Sequence, residues 1–216
     1  MFFIIVLILP LGKVNSQYNL TTTSNYGNIP PNYVTTDLIT SGTQIIAGSQ
    51  SANLWSAQQT LPFSFNFSGT AVSTYYVSAN GVLTFAATTP AILPGANTSL
   101  PSATLPDMSI AGMWDDFTNA PPTGSNDVVR VNTFGSAPNR QVWISWYSFE
   151  TGNPNLSFAY WSIVLEETTN NIYITDQYSN TGSATGFSVG LQKDITTSIS
   201  DANSPNILAA GNGTSL

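Results

Sequence analysis

Residues 61–67 read Leu-Pro-Phe-Ser-Phe-Asn-Phe, "LPFSFNF". Leu61, Phe63, Phe65 and Phe67 take every second position, with Pro62, Ser64 and Asn66 between them. Successive side chains of an extended strand point to opposite faces, so this period of two predicts a strand with one face in a core and the other in water. Asn66 then points outward. Downstream, "YYVSANGVLTF" at 75–85 holds two short strand-like runs around Asn80-Gly81. Asn-Gly is a strong hairpin signal, because a type I′ turn needs positive φ at both central positions.

The same kind of run recurs along the chain: "IAGMWDDF" (110–117), "VVRVNTF" (128–134), "QVWISWYSF" (141–149), "FAYWSIVLE" (158–166), "NIYITDQY" (171–178) and "GFSVGLQ" (186–192). Clusters of Gly, Pro and Asn separate them, and no stretch keeps a helical period. Many short strands without intervening helices predict an all-β protein, an antiparallel β-sandwich, jelly-roll-like, with long loops. Residues 86–109 are rich in Pro, Ala and Thr, carry no period, and read as a long surface loop. The domain spans 44–216. Residues 17–43, polar and broken by Pro30-Pro31, read as an extended N-terminal arm or linker.

Composition narrows the function classes. Of 216 residues only 7% are charged, with four Lys plus Arg and a formal net charge of −7. Neutralising phosphates takes Lys and Arg, so no nucleic-acid partner is expected, and anionic lipid is disfavoured for the same reason. Aromatics reach 12%, which suits strands and not disorder. Cys and His are both absent. Disulfides, His or Cys zinc sites and a Ser-His-Asp triad are therefore impossible. "GFSVG" at 186–190 matches the nucleophile elbow in letters, but it has no base to serve it and reads better as strand ends.

The first residues read as a signal peptide over 1–16. An apolar run from Phe2 to Leu11 is too short to span a bilayer, and Val14-Asn15-Ser16 resembles a cleavage site. No other stretch is long and apolar enough for a transmembrane helix, so no membrane span is expected after signal removal, and the product is expected to be secreted or held at the cell surface. Five sequons fit an exported chain, with candidate glycosylation at Asn19, Asn66, Asn97, Asn155 and Asn212.

Carboxylates remain as candidate chemistry. "MWDDF" at 113–117 sets Asp115 and Asp116 side by side, as a catalytic pair, a metal site or a structural turn. A glycosidase needs two carboxylates across a cleft, and Asp115, Asp116, Glu150, Glu166 and Glu167 could supply them. Neighbours on a strand face opposite ways, so Asp115 and Asp116 share a cleft only from a turn. Hard oxygen ligands make Asp115 and Asp116 a candidate calcium site, with Asp127 or Asn126 as a third partner. An Asp in a turn also accepts backbone N–H bonds with no further role. No enzyme and no cofactor beyond possible calcium is expected.

Taken in order, "LPFSFNFSGTAVSTYYVSANGVLTF", "IAGMWDDF", "VWISWYSF", "YWSIVLEE" and "NIYITDQY" resemble the nidogen-type extracellular domain and related modules of secreted bacterial surface proteins. The resemblance covers about 61–191; Ser68 and "GMW" depart from the pattern. It implies an extracellular, non-catalytic β-rich module linked to adhesion or matrix association, with Trp114 anchoring the core and Asp115 and Asp116 fixing the turn that follows. The expected partner is an extracellular protein or glycan, or copies of the chain itself. Two rival functions stand beside adhesion. One is a fibre or sheath subunit using its arm for strand donation. The other is a carbohydrate-binding module stacking sugars on exposed members of Trp55, Tyr75, Tyr147 and Trp161.

Overall fold

A computed structural model describes residues 18–20, 41–47, 54–117, 128–150, 158–180 and 186–207. The leader, all of the arm except residues 18–20 and 41–43, and the sequons at Asn155 and Asn212 lie outside the described residues. So do Asn126 and Asp127.

The alternating stretch forms β2 (Gln59–Phe67), preceded by the short β1 (Thr43–Ile46). Its Leu and three Phe are buried while Pro62, Ser64 and Asn66 are exposed. Each such side chain taken out of water contributes about 1.5–3 kcal/mol, so this one strand commits the chain to a two-faced sheet. After it come β3 (Thr70–Val77), β4 (Val82–Thr84) and β5 (Ser109–Trp114). Next are β6 (Val128–Phe134), β7 (Gln141–Glu150), β8 (Phe158–Glu166) and β9 (Ile172–Asn180), and finally β10 (Ser188–Asp194) and β11 (Thr197–Ser200).

Two antiparallel sheets result. One has five strands in the order β1-β6-β7-β8-β9, and the other six in the order β11-β10-β5-β4-β3-β2. The chain is an all-β sandwich, as its strand pattern predicts. It lays down β2–β5 in one sheet and β6–β9 in the other, and so does not cross between sheets strand by strand as a jelly roll does. The inner faces meet on an aromatic core. Trp146 and Trp161 stack with centroids 5.4 Å apart and planes 9° apart, and Phe117 lies 5.1 Å from Trp161. All three are buried.

The hairpin turn with two positive φ angles lies elsewhere than the Asn80-Gly81 signal puts it. The hairpin with positive φ at both central residues is Ser68-Gly69, at 49° and 85°, closing Phe67 opposite Thr70. At Asn80-Gly81 only Gly81 has positive φ, 81°, and the loop closes through Ser78 N–H to the Val82 carbonyl at 2.7 Å. Glycine is required at 81 for space as well. A Cβ there would stand 2.3 Å from the Met113 carbonyl oxygen, because this loop lies on the backbone of β5.

β5 carries a bulge. Its pairing with β10 advances three residues, Ala111 to Trp114, while β10 advances two, Gly190 to Ser188. An extra residue changes which face the next side chain takes. Ile110 and Met113 thus enter the core between the sheets, whereas Trp114 joins Val82, Ala111 and Leu105 on the outward face of the six-stranded sheet. Trp114 is fully buried, but as the centre of a second apolar layer and not of the main core.

That second layer is roofed by residues 86–107. They hold no regular structure, as their composition predicts, yet they form a tied-down cover. Trp55 and Trp114 donate their indole N–H groups to the carbonyls of Ile92 and Gly95, each at 2.8 Å. Asn80 donates to the Pro94 carbonyl at 2.6 Å, and Ser188 to that of Thr98 at 2.6 Å. The Gln192 amide accepts from Ser102 N–H at 2.6 Å and donates to the Ser102 carbonyl at 3.0 Å. Backbone polar groups that leave water need such partners, and here buried side chains of the sheet supply them.

Candidate functional site

"MWDDF" is where the chain passes from the outer layer back into the core. Trp114 faces outward, Asp115 and Asp116 are half-buried, and Phe117 returns between the sheets against Trp161, Phe149 and Phe187. Among the described residues no group of three or more His, Cys, Asp or Glu comes together around them. The third ligands suggested by sequence, Asp127 and Asn126, lie outside the described residues. Asn80 governs this corner. Its Oδ1 accepts from Phe117 N–H at 3.2 Å while its Nδ2 holds Pro94, so one buried amide ties the β3–β4 loop, the end of β5 and the roof together.

Glu166 and Glu167 are fully engaged at the β8–β9 turn. Glu166 Oε2 accepts from Thr169 at 2.5 Å, Asn171 at 3.0 Å and Tyr173 at 3.2 Å, and Oε1 accepts from Gln141 at 3.0 Å. Burial alone would raise its pKa. The bonds from Thr169, Gln141, Asn171 and Tyr173 outweigh burial and hold it below the usual carboxylate range. Glu167 forms a two-point pair with Arg140, at 2.6 and 2.8 Å, and hydrogen bonding from that guanidinium lowers its pKa. The Arg140 guanidinium in turn lies 5.4 Å from the ring centre of Phe63 on β2. A catalytic acid of the glycosidase type needs a raised pKa, and both carboxylates are shifted the other way. Ser188, the elbow serine, is the first residue of β10, fully buried, with its hydroxyl spent on Thr98.

The aromatics considered for sugar stacking are mostly interior. Tyr75, Tyr147 and Trp161 are buried, and Trp55 is half-buried beneath the roof. The sequons divide more clearly. Asn19 and Asn66 are exposed, whereas Asn97 is half-buried and donates to two backbone carbonyls. Tyr18, next to Asn19, docks on the end of β2, its hydroxyl donating to the Asn66 carbonyl at 3.0 Å and its ring 5.8 Å from Phe67.

The outward face of the five-stranded sheet is the surface most worth weighing. Its residues fall into rows across the strands. Arg130, Ser145, Ser162 and Thr175 are direct cross-strand partners in sequence of strands β6 to β9. Ser145 and Ser162 share a 2.7 Å hydrogen bond. Beside that row run Trp143, Val164 and Tyr173, also in direct register. On its other side Tyr147 meets Tyr160 edge to face at 5.2 Å. Phe134 closes one corner, edge-on to Trp143 at 6.2 Å. A hydrogen-bond chain from Trp143 through Gln141 and Glu166 to Tyr173 fixes the aromatic row. Trp143 and Tyr147 are buried, while Phe134, Tyr160 and Tyr173 remain partly exposed. The Thr175 hydroxyl and Arg130 Nε are buried without a hydrogen-bond partner among the described residues. Alternation could have found this face, since aromatics occupy the outward positions of β7, β8 and β9. Each aromatic strand residue was open to a core reading, and that masked the signal.

No helix among the described residues is long and apolar enough to cross a membrane. No curated protein and no solved structure matches the chain. One family model does match, that described as NIDO related, over residues 18–215, nearly the whole chain and with the arm included. The chain belongs to the nidogen-related family.

Proposed function

We propose that the chain is a secreted, non-catalytic adhesion module that holds an extracellular partner through the outward face of its five-stranded sheet. The observation that carries this reading is a set of partly exposed rings, Phe134, Tyr160 and Tyr173, packed on the buried Trp143 and Tyr147 of the outward face of the five-stranded sheet. The Ser145, Ser162 and Thr175 hydroxyls lie buried between them. The outward face of the six-stranded sheet is covered by residues 86–107. Aromatic side chains held rigidly with polar groups between them are what binding surfaces concentrate. Family membership and the leader-like N-terminus support an extracellular setting. The engagement of Glu166 and Glu167 in turn structure supports a non-catalytic role.

The test is adhesion of beads carrying the full chain to the surface and matrix of its source cells. A Tyr160→Ser, Tyr173→Ser double variant alters the partly exposed rings and leaves the inner core alone. Retention should fall by about tenfold or more, as expected for loss of ~1.4 kcal/mol or more of binding, with the thermal transition kept. Undiminished adhesion of the folded variant would refute the assignment of this face. Hydrolysis of a glycan substrate by the wild type would refute the non-catalytic role.

A further inference from the structure

We propose that Asn66 is a site of N-linked glycosylation and that Asn97, in an equally complete sequon, is not. Both offer the same local signal, Asn66-Phe67-Ser68 and Asn97-Thr98-Ser99. What separates them is the fate of the amide nitrogen that must carry the sugar.

Asn97 Nδ2 donates to the Gly186 carbonyl and to the Pro205 carbonyl, each at 2.8 Å. Both amide hydrogens are thereby used to tie the roof to the segments before and after β10 and β11. The surroundings have no slack. Even a Cβ on Gly186 would stand 2.6 Å from Asn206 Cα and 2.8 Å from the Pro205 carbonyl oxygen. A sugar on Asn97 would remove one of its two bonds and need room the corner lacks.

Asn66 is placed in the opposite way. It lies on the outward face of β2 and is exposed. Its Oδ1 accepts from Gly69 N–H at 2.9 Å across the hairpin, which fixes the amide plane. Its Nδ2 makes no hydrogen bond among the described residues and faces water. Phe67, between Asn66 and Ser68, is fully buried in the folded protein, so transfer belongs to the chain before β2 and β3 close. The closed hairpin then accommodates the product without losing a contact. A chain that takes a sugar at Asn97 at that stage cannot then form both the Gly186 and Pro205 bonds and does not reach the folded product.

The donor is an oligosaccharide linked to a lipid diphosphate. Asn66 Nδ2 attacks the anomeric carbon and the new C–N bond forms. The C–O bond to the diphosphate breaks, and the lipid diphosphate leaves with the electron pair. One Nδ2 proton passes to a base of the transferase. Nothing is oxidised or reduced. The glycan would stand at the end of β2, an edge strand of its sheet, where bulk discourages pairing with a second chain.

The experiment places a cleavable leader ahead of Met1 and produces the full chain in a eukaryotic secretory cell. Folded product is treated with a peptide N-glycosidase in heavy-oxygen water, which marks every occupied Asn as labelled Asp, and its peptides are mapped. Asn66 should carry the mark and Asn97 should not. A Ser68→Gly variant removes the sequon and keeps the bond from Gly69 N–H to Asn66 Oδ1, and glycine suits the positive φ at that position. It should lose the glycan at Asn66 alone and still melt cooperatively. An unmarked Asn66 in the wild type, or a marked Asn97 in folded product, would overturn the proposal.

Discussion

Asn80 shows how far a single residue departs from its local signal. Its neighbour Gly81 marks a turn in the sequence, and a turn is there. The side chain of Asn80, however, is buried and bridges Pro94 and Phe117. Nothing within a few residues announces that, since one partner is 14 and the other 37 positions away. Asn80→Ala leaves the Phe117 N–H and the Pro94 carbonyl without their partner, and each buried unsatisfied group costs about 1–3 kcal/mol. The expected result is a lowered urea midpoint at unchanged slope. An unshifted midpoint would mean that the two groups find other bonds. Trp114 allows a finer separation of effects. Trp114→Ala empties the second apolar layer, a loss of about 3–5 kcal/mol for a fully buried Trp. Trp114→Phe keeps much of the volume and forfeits the bond to Gly95, so its loss should be clearly smaller. Equal losses would show that the hydrogen bond dominates. Asp115 and Asp116 were legible as the end of a strand. Which face Trp114 takes was not, because the bulge that decides it depends on the pairing of β5 with β10.

At the scale of elements, strands β6, β7 and β8 were legible almost to the residue, because buried strands of a sandwich alternate and are bounded by Gly, Pro and Asn. The short edge strands β1 and β11 were not, since four residues carry too little period to stand out. Residues 86–107 were legible as irregular and illegible as a roof. The groups that hold them, Trp55, Asn80, Trp114, Ser188 and Gln192, come from four separate parts of the chain. If the roof is held as described, it resists proteases in spite of its composition. Gln192→Ala removes two hydrogen bonds to Ser102 and one to Leu105. Cleavage between residues 98 and 106 should then speed up by about 5–30-fold, the factor that one or two kcal/mol of local opening gives. Quantitative peptide mapping over a proteolysis time course measures it. Cleavage at the wild-type rate would show that the roof is held chiefly by packing on Trp114 and Leu105.

For the whole molecule, the absence of histidine and cysteine has a thermodynamic consequence: no side chain of ordinary pKa titrates between about pH 5 and 8. Stability should be level there and fall on either side, for opposite reasons. On the acid side the affected carboxylates are Glu166, Glu167 and Asp194, whose pKa values are lowered in the fold. Burial opposes the shift of Glu166, and bonds from Thr169, Gln141, Asn171 and Tyr173 overcome it. Arg140 lowers Glu167, and the Thr196 hydroxyl and N–H lower Asp194. A group lowered on folding binds fewer protons folded than unfolded. Its contribution is present above the ordinary carboxylate range and lost as pH drops through the folded value. Glu167 and Asp194 lie at the surface, so salt should weaken their part. On the alkaline side burial raises the Tyr75 phenol well above its ordinary range, and it raises Tyr18 to about 12. These phenols keep their protons folded and lose them unfolded. Their contribution is complete below pH 10 and declines as pH climbs from there toward the folded values. Tyr18 isolates the arm's share, because its ring and hydroxyl dock residues 18–20 onto Phe67 and Asn66. Tyr18→Phe keeps the ring contact and removes the ionisation, with a loss of about 1 kcal/mol for the missing hydrogen bond. Its melting temperature should lie below that of the wild type at pH 7, and the gap should narrow as pH rises from 10 to 12. A gap that stays constant over that range would show that Tyr18 ionises alike in the folded and unfolded chain, and that the arm's first residues are not held on β2 in solution.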